Sequence, residues 1–115
     1  MKFLIIIPAH NEESNILPCL ESLKNQSFQD FVCVVVNDGS TDKSAQIVEQ
    51  LNDSRITLIK QVNSGVSEAR NNGVKTAKGK FVAFLDADDW WAKEFLEEMR
   101  ILIENYSDAK IFSSS

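Results

Sequence analysis

The sequence predicts an α/β fold in which helices cover both faces of a mostly parallel β-sheet. The first observation is that short apolar runs, rich in β-branched and aromatic residues, alternate with longer segments whose apolar residues recur at helical spacing. The second is that the run at 31–36 is almost entirely apolar, as is usual for strands buried on both faces of a parallel sheet. Such alternation requires repeated βαβ crossovers, which are almost always right-handed.

The strands follow from their composition and from the residues that interrupt them. We expect Pro8 to end the first strand, because proline cannot donate to a ladder hydrogen bond. We expect Phe81–Leu85 to be the central strand, since it combines aromatic and aliphatic residues in a short run. The predicted strands are Phe3–Ile7, Phe31–Val36, Ile56–Ile59, Phe81–Leu85 and, as a candidate, Ala109–Phe112.

The helices lie between these strands. Asn11 is a favourable N-cap for the first helix, and the segment 25–27 is expected to break it. The fourth helix is amphipathic, with Phe95, Leu96, Met99, Leu102 and Ile103 on its apolar side. The second predicted helix runs from the polar turn at 37–42 to Leu51, the third from 63–65 to about Thr76, and the fourth over Ala92–Asn105.

Length and composition indicate a single globular domain. The chain has 115 residues, of which 43% are hydrophobic and 25% charged, as in ordinary globular proteins. A formal net charge of −5 argues against a nucleic-acid-binding surface. No apolar run approaches the length of a membrane span. The first apolar run is too short for a signal peptide and no small-residue cleavage site follows it.

The two cysteines do not suggest a disulfide framework. Cys19 lies in a helical pattern and Cys33 in a strand pattern, so both are expected to fill the core as reduced thiols. We therefore expect a cytoplasmic protein, with the inner face of the membrane as a second candidate location.

Three carboxylates follow the apolar run Phe81–Leu85, at Asp86, Asp88 and Asp89. If the backbone stays extended, Asp86 and Asp88 point the same way, at the sheet edge where open α/β sheets bind ligands. Two convergent carboxylates favour a hard divalent cation, Mg²⁺ or Mn²⁺, which can also hold phosphates. The alternative is an acidic turn in which Asp88 or Asp89 caps the next helix.

Polar motifs follow each of the first four predicted strands, and all would lie at the same edge of a parallel sheet. Taken singly, each could be no more than a turn or a helix cap. Their coincidence at one edge favours a binding site. The motifs are Pro8-Ala9-His10-Asn11-Glu12, Asn37-Asp38-Gly39-Ser40-Thr41-Asp42, Asn63-Ser64-Gly65-Val66-Ser67-Glu68-Ala69-Arg70-Asn71 and Leu85-Asp86-Ala87-Asp88-Asp89.

In content and order these four motifs resemble family 2 glycosyltransferases, over essentially the whole chain. No Gly-x-Gly-x-x-Gly or Walker-type phosphate loop competes with this interpretation. The resemblance implies the Rossmann-like GT-A fold and transfer of a sugar, with inversion, from a nucleotide donor to an acceptor hydroxyl. A UDP-sugar is the favoured donor and Mg²⁺ or Mn²⁺ the implied cofactor. A nucleotide-sugar binding module without turnover and, less favoured, a nucleotidyltransferase remain as alternatives.

The resemblance also implies roles for individual residues. The loop at Pro8 would pack on the nucleotide base, and Asp38 would accept a hydrogen bond from the ring N–H of uracil. Arg70 would lie near the base and diphosphate, Asp86 near the ribose and metal, and Asp88 would be the metal ligand. The full set of implied donor-binding residues is Pro8, Ala9, His10, Asn11, Glu12, Asp38, Gly65, Arg70, Asp86 and Ala87.

The sequence departs from the family pattern in two ways. Lys93 stands where the family often has a proline, so we expect a local change in loop geometry without loss of function. Family members also carry the general base and the acceptor site in a later half, so no catalytic residue is assigned here. We therefore expect residues 1–115 to be a single nucleotide-sugar-binding domain from the N-terminal part of a longer enzyme. The acceptor would be a saccharide, a lipid-linked or another hydroxyl compound, and the uncovered surface would favour homo-oligomers.

Overall fold

The chain forms a five-stranded sheet with four helices in the part that the computed structural model describes, which is residues 2–77, 79, 81–105 and 111–114. The strands are β1 (Phe3–Ala9), β2 (Phe31–Asp38), β3 (Ile56–Gln61), β4 (Phe81–Leu85) and β5 (Ile111–Ser114). The helices are α1 (Ile16–Lys24), α2 (Ser44–Leu51), α3 (Val66–Thr76) and α4 (Phe95–Asn105).

The sheet has the order β3-β2-β1-β4-β5, and every pairing between these strands is parallel. The predicted α/β fold with a parallel sheet is therefore confirmed. The prediction that Phe81–Leu85 is the central strand was wrong, because β1 occupies the middle and pairs with β2 on one side and β4 on the other. After β3 the chain crosses back over β1 to form β4. The strand order reverses between β1 and β4, and a crevice opens at the carboxyl ends of strands at such a switch point.

Helices cover both faces of the sheet, as predicted. Alternate side chains of β1 explain this arrangement, because Phe3 and Ile5 face a core shared with α1, α2 and α4, whereas Leu4 and Ile6 face α3. Helix α3 approaches the sheet closely at Gly73, where a Cβ atom would lie only 2.5 Å from Ile6 Cγ2. This approach places the N-terminal half of α3 beside the carboxyl ends of the strands.

Four strands differ from their predicted bounds, and in β2 and β3 the difference brings functional polar residues into the sheet. β1 continues through Pro8 to Ala9, because its pairing with β4 stops at Ile6 and proline is tolerated where one side of a strand is unpaired. β2 and β3 each extend two residues beyond their apolar runs, since Asp38 pairs with Gln61 at the end of the ladder. The start of the predicted fifth strand, at 109–110, lies outside the described residues, and β5 itself runs to Ser114.

Two helices begin later than predicted. α1 starts at Ile16, and Asn11 does not cap it, since Asn11 has φ +53° and its side chain bonds to the loop after β2. α4 starts at Phe95 rather than Ala92. Of its predicted apolar side, Leu96 is fully buried but Leu102 is 43% exposed.

Both cysteines are free and buried, as predicted for core residues. Within the described part of the chain, none of the helices has the length and apolar character needed to cross a membrane.

Candidate functional site

A cavity of about 360 Å³ lies at the carboxyl ends of β1, β2 and β4, beside the start of α3. All but two of the residues that the sequence assigned to a donor or metal site line it. The exceptions are Asn11 and Gly65, and the wall also contains Val66, which was not predicted. The lining residues are Pro8, Ala9, His10, Glu12, Asp38, Val66, Arg70, Asp86, Ala87 and Asp88.

A larger cavity of about 440 Å³ lies elsewhere, between α1 and the segment that contains Trp90 and Trp91. Its polar lining includes Glu21 and Lys93, but none of the strand-end motifs after β1, β2 or β3 reaches it. We therefore place the candidate site in the smaller cavity, because that cavity gathers residues from all four motifs.

Side-chain hydrogen bonds tie the loop after β1 to the loop after β2. The Asn11 backbone N–H donates to Ser40 Oγ at 3.0 Å, and Asn11 Oδ1 accepts from the Thr41 N–H at 2.8 Å. The Glu12 N–H donates to Ser44 Oγ at 2.9 Å. Asn11 therefore acts on the shape of the cavity through the second loop, and direct contact between Asn11 and a donor stays a prediction.

Asp38 is the buried anion of the site, with 5% of its surface exposed. Its Oδ1 accepts from Gln61 Nε2 at 2.8 Å and from the Ser64 N–H at 2.7 Å, and its Oδ2 accepts from the Gly65 N–H at 3.0 Å. Burial by itself would raise the pKa of Asp38, but these three hydrogen bonds outweigh it and lower the pKa. Asp38 is therefore ionised at neutral pH and can only accept hydrogen bonds.

The loop that surrounds Asp38 depends on a glycine. Gly39 has φ +68°, and a Cβ atom at this position would lie 2.8 Å from the backbone nitrogen of Asn63. Only glycine allows this conformation and this close approach together. The approach brings the N–H groups of Ser64 and Gly65 to the carboxylate.

His10 is attached to the same loop from the other side. Its Nδ1 lies 2.6 Å from the Asp38 carbonyl oxygen, which can only accept, so Nδ1 carries the proton. The Nε2 atom lies 3.4 Å from Asn11 Nδ2. The hydrogen bond to the Asp38 carbonyl thus fixes the orientation of the ring in the wall of the cavity.

The acid motif forms a turn rather than a continued strand. β4 ends at Leu85, and the Asp89 N–H donates to the Asp86 carbonyl at 3.0 Å. The extended backbone that would have pointed Asp86 and Asp88 the same way is therefore absent at this turn, although both residues line the cavity. The capping alternative also fails, because α4 begins only at Phe95 and Asp89 Oδ1 instead accepts from the Trp90 N–H at 2.9 Å.

Arg70 brings positive charge to this acidic wall. Its Nη2 lies 3.7 Å from Asp86 Oδ1, and its guanidinium carbon lies 5.1 Å from the centre of the Phe84 ring. Its Nε is buried and has no hydrogen-bond partner in the described part of the structure. The side chain is about one-third exposed, so it can contact both Asp86 and a ligand in the cavity.

The carboxylates fit a metal that a ligand helps to coordinate. Asp88 is exposed in the cavity wall and forms no hydrogen bond or ion pair with any other described residue. No cluster of three or more histidine, cysteine or acidic side chains suited to a metal occurs among the residues described. Mg²⁺ and Mn²⁺ commonly use one or two carboxylates and complete their shell with water and substrate phosphates. Asp88, with Asp86 beside it, offers this hard oxygen donor set.

Cys19 lies beneath the acid turn but is not a candidate nucleophile. Its Sγ donates to the Asp86 carbonyl at 3.6 Å. Burial and the nearby charges of Asp89, Asp86, Asp88 and Glu12 raise the pKa of this thiol to about 12. It is therefore protonated at neutral pH and serves the packing of the site.

Sequence reasoning missed the residues that hold Asp38 in place. Gln61 bonds to Asp38 directly, and Asn72 Nδ2 donates to Gln61 Oε1. The available signal was the position of Gln61 two residues after the apolar run of β3, which corresponds to the position of Asp38 after β2. The prediction ended both strands too early to use it.

With this geometry in place, comparison with known proteins identifies the family. Residues 4–112 match the family described as Glycosyl transferase family 2. The chain belongs to this family. The resemblance of the four motifs is thereby confirmed.

Relatives of known name agree with this assignment. The chain is 39% identical to the glycosyltransferase GlyA of Streptococcus pneumoniae over 107 aligned residues. The alignment covers 91% of this chain and 15% of GlyA. It is similar to Staphylococcus aureus TarS in complex with UDP-GlcNAc, with a TM-score of 0.87 and 39% identity over 93% of this chain and 32% of that one. The Pyrobaculum calidifontis mannosyltransferase PcManGT, in complex with GDP-Man and Mn²⁺, has a TM-score of 0.81 and 28% identity, over 88% of this chain and 32% of its own.

The chain spans less than half the length of the curated relatives it matches. These comparisons place it in the GT-A fold and in the part of family 2 enzymes that the four motifs define.

Proposed function

We propose that this chain is the donor-binding part of an inverting glycosyltransferase that uses a UDP-sugar and a divalent metal. The observation that carries the proposal is the cavity itself, whose wall contains both a buried hydrogen-bond acceptor, Asp38, and two carboxylates of the acidic turn, Asp86 and Asp88. The likeness to TarS in complex with UDP-GlcNAc supports a uridine nucleotide as donor. The proposal covers the whole enzyme's activity, of which this chain would supply the donor site.

Different residues of the cavity would contact different parts of the nucleotide-sugar donor. Asp38 can accept a hydrogen bond from a nucleobase N–H, because it is ionised and one of its oxygens still has acceptor capacity. Pro8 would pack on the base, and His10 would border it. Arg70, beside Asp86, would offset the negative charge of the diphosphate.

Asp88 and Asp86 would hold the metal, which when bound supplies a Lewis acid that stabilises charge on the departing diphosphate. The likeness to PcManGT in complex with Mn²⁺ supports this cofactor. Without a cation, the carboxylates and the diphosphate would repel each other. Each close pair of unit charges would cost roughly 1–4 kcal/mol, depending on the effective dielectric constant. Metal and nucleotide should therefore bind as a linked pair, each raising the affinity of the other equally.

The test is a titration of the chain with UDP, with and without Mn²⁺, monitored by calorimetry. We expect Mn²⁺ to raise the affinity for UDP by roughly tenfold or more, because relief of even one weak charge repulsion of about 1.4 kcal/mol has this effect. Asp88→Asn keeps the size of the side chain and should abolish this increase.

Asp89→Asn is the matched control, because it removes the same charge one residue away and still accepts from the Trp90 N–H. It should retain the effect of Mn²⁺. Equal affinity for UDP in the native chain and both variants, with and without Mn²⁺, would exclude the metal site. A native chain that binds no UDP at all would exclude the proposed donor.

A further inference from the structure

We propose that Gln61, oriented by Asn72, makes the site selective for uracil over guanine by occupying one oxygen of Asp38. This inference rests on the proposed function, because it assumes that Asp38 faces the base of a nucleotide. It adds a residue outside the four motifs and explains which nucleobase can hydrogen-bond to the Asp38 carboxylate.

The first step concerns the acceptor capacity of the carboxylate. Each carboxylate oxygen has two lone-pair sites. Oδ1 of Asp38 already accepts from Gln61 at 2.8 Å and from the Ser64 N–H at 2.7 Å, so both of its sites are used. Among the described residues, Oδ2 accepts only from the Gly65 N–H, at 3.0 Å, so this is the oxygen to which a ligand can donate.

The second step concerns the orientation of Gln61. Asp38 can only accept, so Gln61 must direct its NH₂ group toward Oδ1 and its carbonyl oxygen away from it. That carbonyl then requires a donor, and Asn72 Nδ2 supplies one. Asn72 therefore fixes the amide of Gln61, and both side chains are at least partly buried, where water competes less for these bonds.

The third step concerns the nucleobase. The Watson–Crick edge of uracil has a single donor, the ring N–H, between two carbonyl oxygens. The corresponding edge of guanine has a ring N–H and an exocyclic NH₂ side by side, which suit a carboxylate with both oxygens free. With Oδ1 saturated, guanine would leave one donor unpaired on binding, whereas uracil would leave none, so uracil is favoured.

The experiment compares the affinities of the chain for UDP and GDP at fixed Mn²⁺ concentration. We expect the native chain to prefer UDP by roughly tenfold, the equivalent of about 1.4 kcal/mol for one unpaired donor. Gln61→Leu frees a lone pair on Oδ1 without a large change in side-chain size, so the preference should fall to about threefold or less.

Asn72→Asp provides a second variant, since an aspartate cannot donate to Gln61. The new carboxylate would face the Gln61 carbonyl, and this repulsion between two acceptors weakens the hold of the amide on Asp38 Oδ1. It too should reduce the preference for UDP. Gln46→Leu is the matched control, because Gln46 is an exposed glutamine on α2 and its loss should leave the preference unchanged. Denaturation curves for all three variants establish that each is folded.

The outcomes separate the two proposals. A preference that stays the same in folded Gln61→Leu and Asn72→Asp would overturn the role of Gln61 and leave the donor-site proposal intact. A native chain that prefers GDP would overturn both the role of Gln61 and the choice of UDP in the proposed function, and would leave a nucleotide-sugar donor of another base. Binding of neither nucleotide would overturn both.

Discussion

The most informative stability prediction concerns Gln26, a glutamine that is only 3% exposed at the end of α1. Its Nε2 donates to the carbonyl oxygens of Ser22, at 3.1 Å, and Ala92, at 2.7 Å. Its Oε1 accepts from the Leu96 N–H at 3.0 Å, which is one of the otherwise unpaired N–H groups in the first turn of α4. Gln26 therefore joins the end of α1 to the start of α4, and so helps to position the segment that carries Asp88.

The cost of Gln26→Ala follows from these contacts. Each of the three hydrogen bonds contributes about 0.5–1.5 kcal/mol net. Ala92 is exposed, so water can replace the bond to its carbonyl, but Leu96 is fully buried and its N–H would stay unpaired. An unpaired buried donor costs about 1–3 kcal/mol. We therefore expect the free energy of unfolding to fall by about 2–4 kcal/mol, a large part of the roughly 5–15 kcal/mol typical of a domain.

Urea denaturation followed by circular dichroism measures this loss at neutral pH. Gln50→Ala is the matched control, because Gln50 is an exposed glutamine on α2, and its replacement should change the free energy of unfolding by less than about 0.5 kcal/mol. If the free energy of unfolding of Gln26→Ala differs from that of the native chain by no more than that of the control does, the hydrogen bonds of Gln26 do not contribute to stability and the reasoning is refuted.

Two further predictions concern packing and pH. Gly73→Ala should destabilise the fold by roughly 1–3 kcal/mol, because its methyl group would lie 2.5 Å from Ile6 Cγ2, and thermal unfolding that matches the native chain would contradict this. Acid should weaken the fold, because the pKa values of Asp38 and Asp42 are lowered in the folded state. Their contribution is complete above the unfolded pKa of about 4 and is lost as the pH falls through the lower folded values. Urea midpoints from pH 6 to pH 3 should therefore decrease, and a constant midpoint would be the contrary result.

The sequence by itself determined the class of fold and the location of the site. Apolar periodicity is a local property, so runs such as Phe3–Ile7 and Phe81–Leu85 could be recognised as strands without knowledge of their neighbours. Polar motifs after parallel strands must meet at one edge of the sheet, which is why Asp38, Arg70 and Asp88 were assigned to one site before the structure was known.

The tertiary structure decided the order of the strands and the conformation of the acid motif. The composition of β1 does not distinguish it from β4 as the central strand, because both are apolar. Strand order depends instead on the path of the crossovers. The turn after Leu85 was likewise hidden, since an aspartate is compatible with a strand end, a turn or a helix cap. The expected N-cap Asn11 was used instead to bind a loop 30 residues away.

Only the tertiary structure could show which donors and acceptors remain free. Gln26 and Gln61 are ordinary polar residues in sequence, and each acquires its role by reaching residues from a distant part of the chain, Leu96 and Asp38 respectively. The type of a side chain determines which hydrogen bonds it can donate or accept, but its actual partners depend on which strands and helices the fold brings together. Hydrophobic periodicity is therefore readable along the chain, whereas the saturation of a carboxylate is a property of the folded molecule.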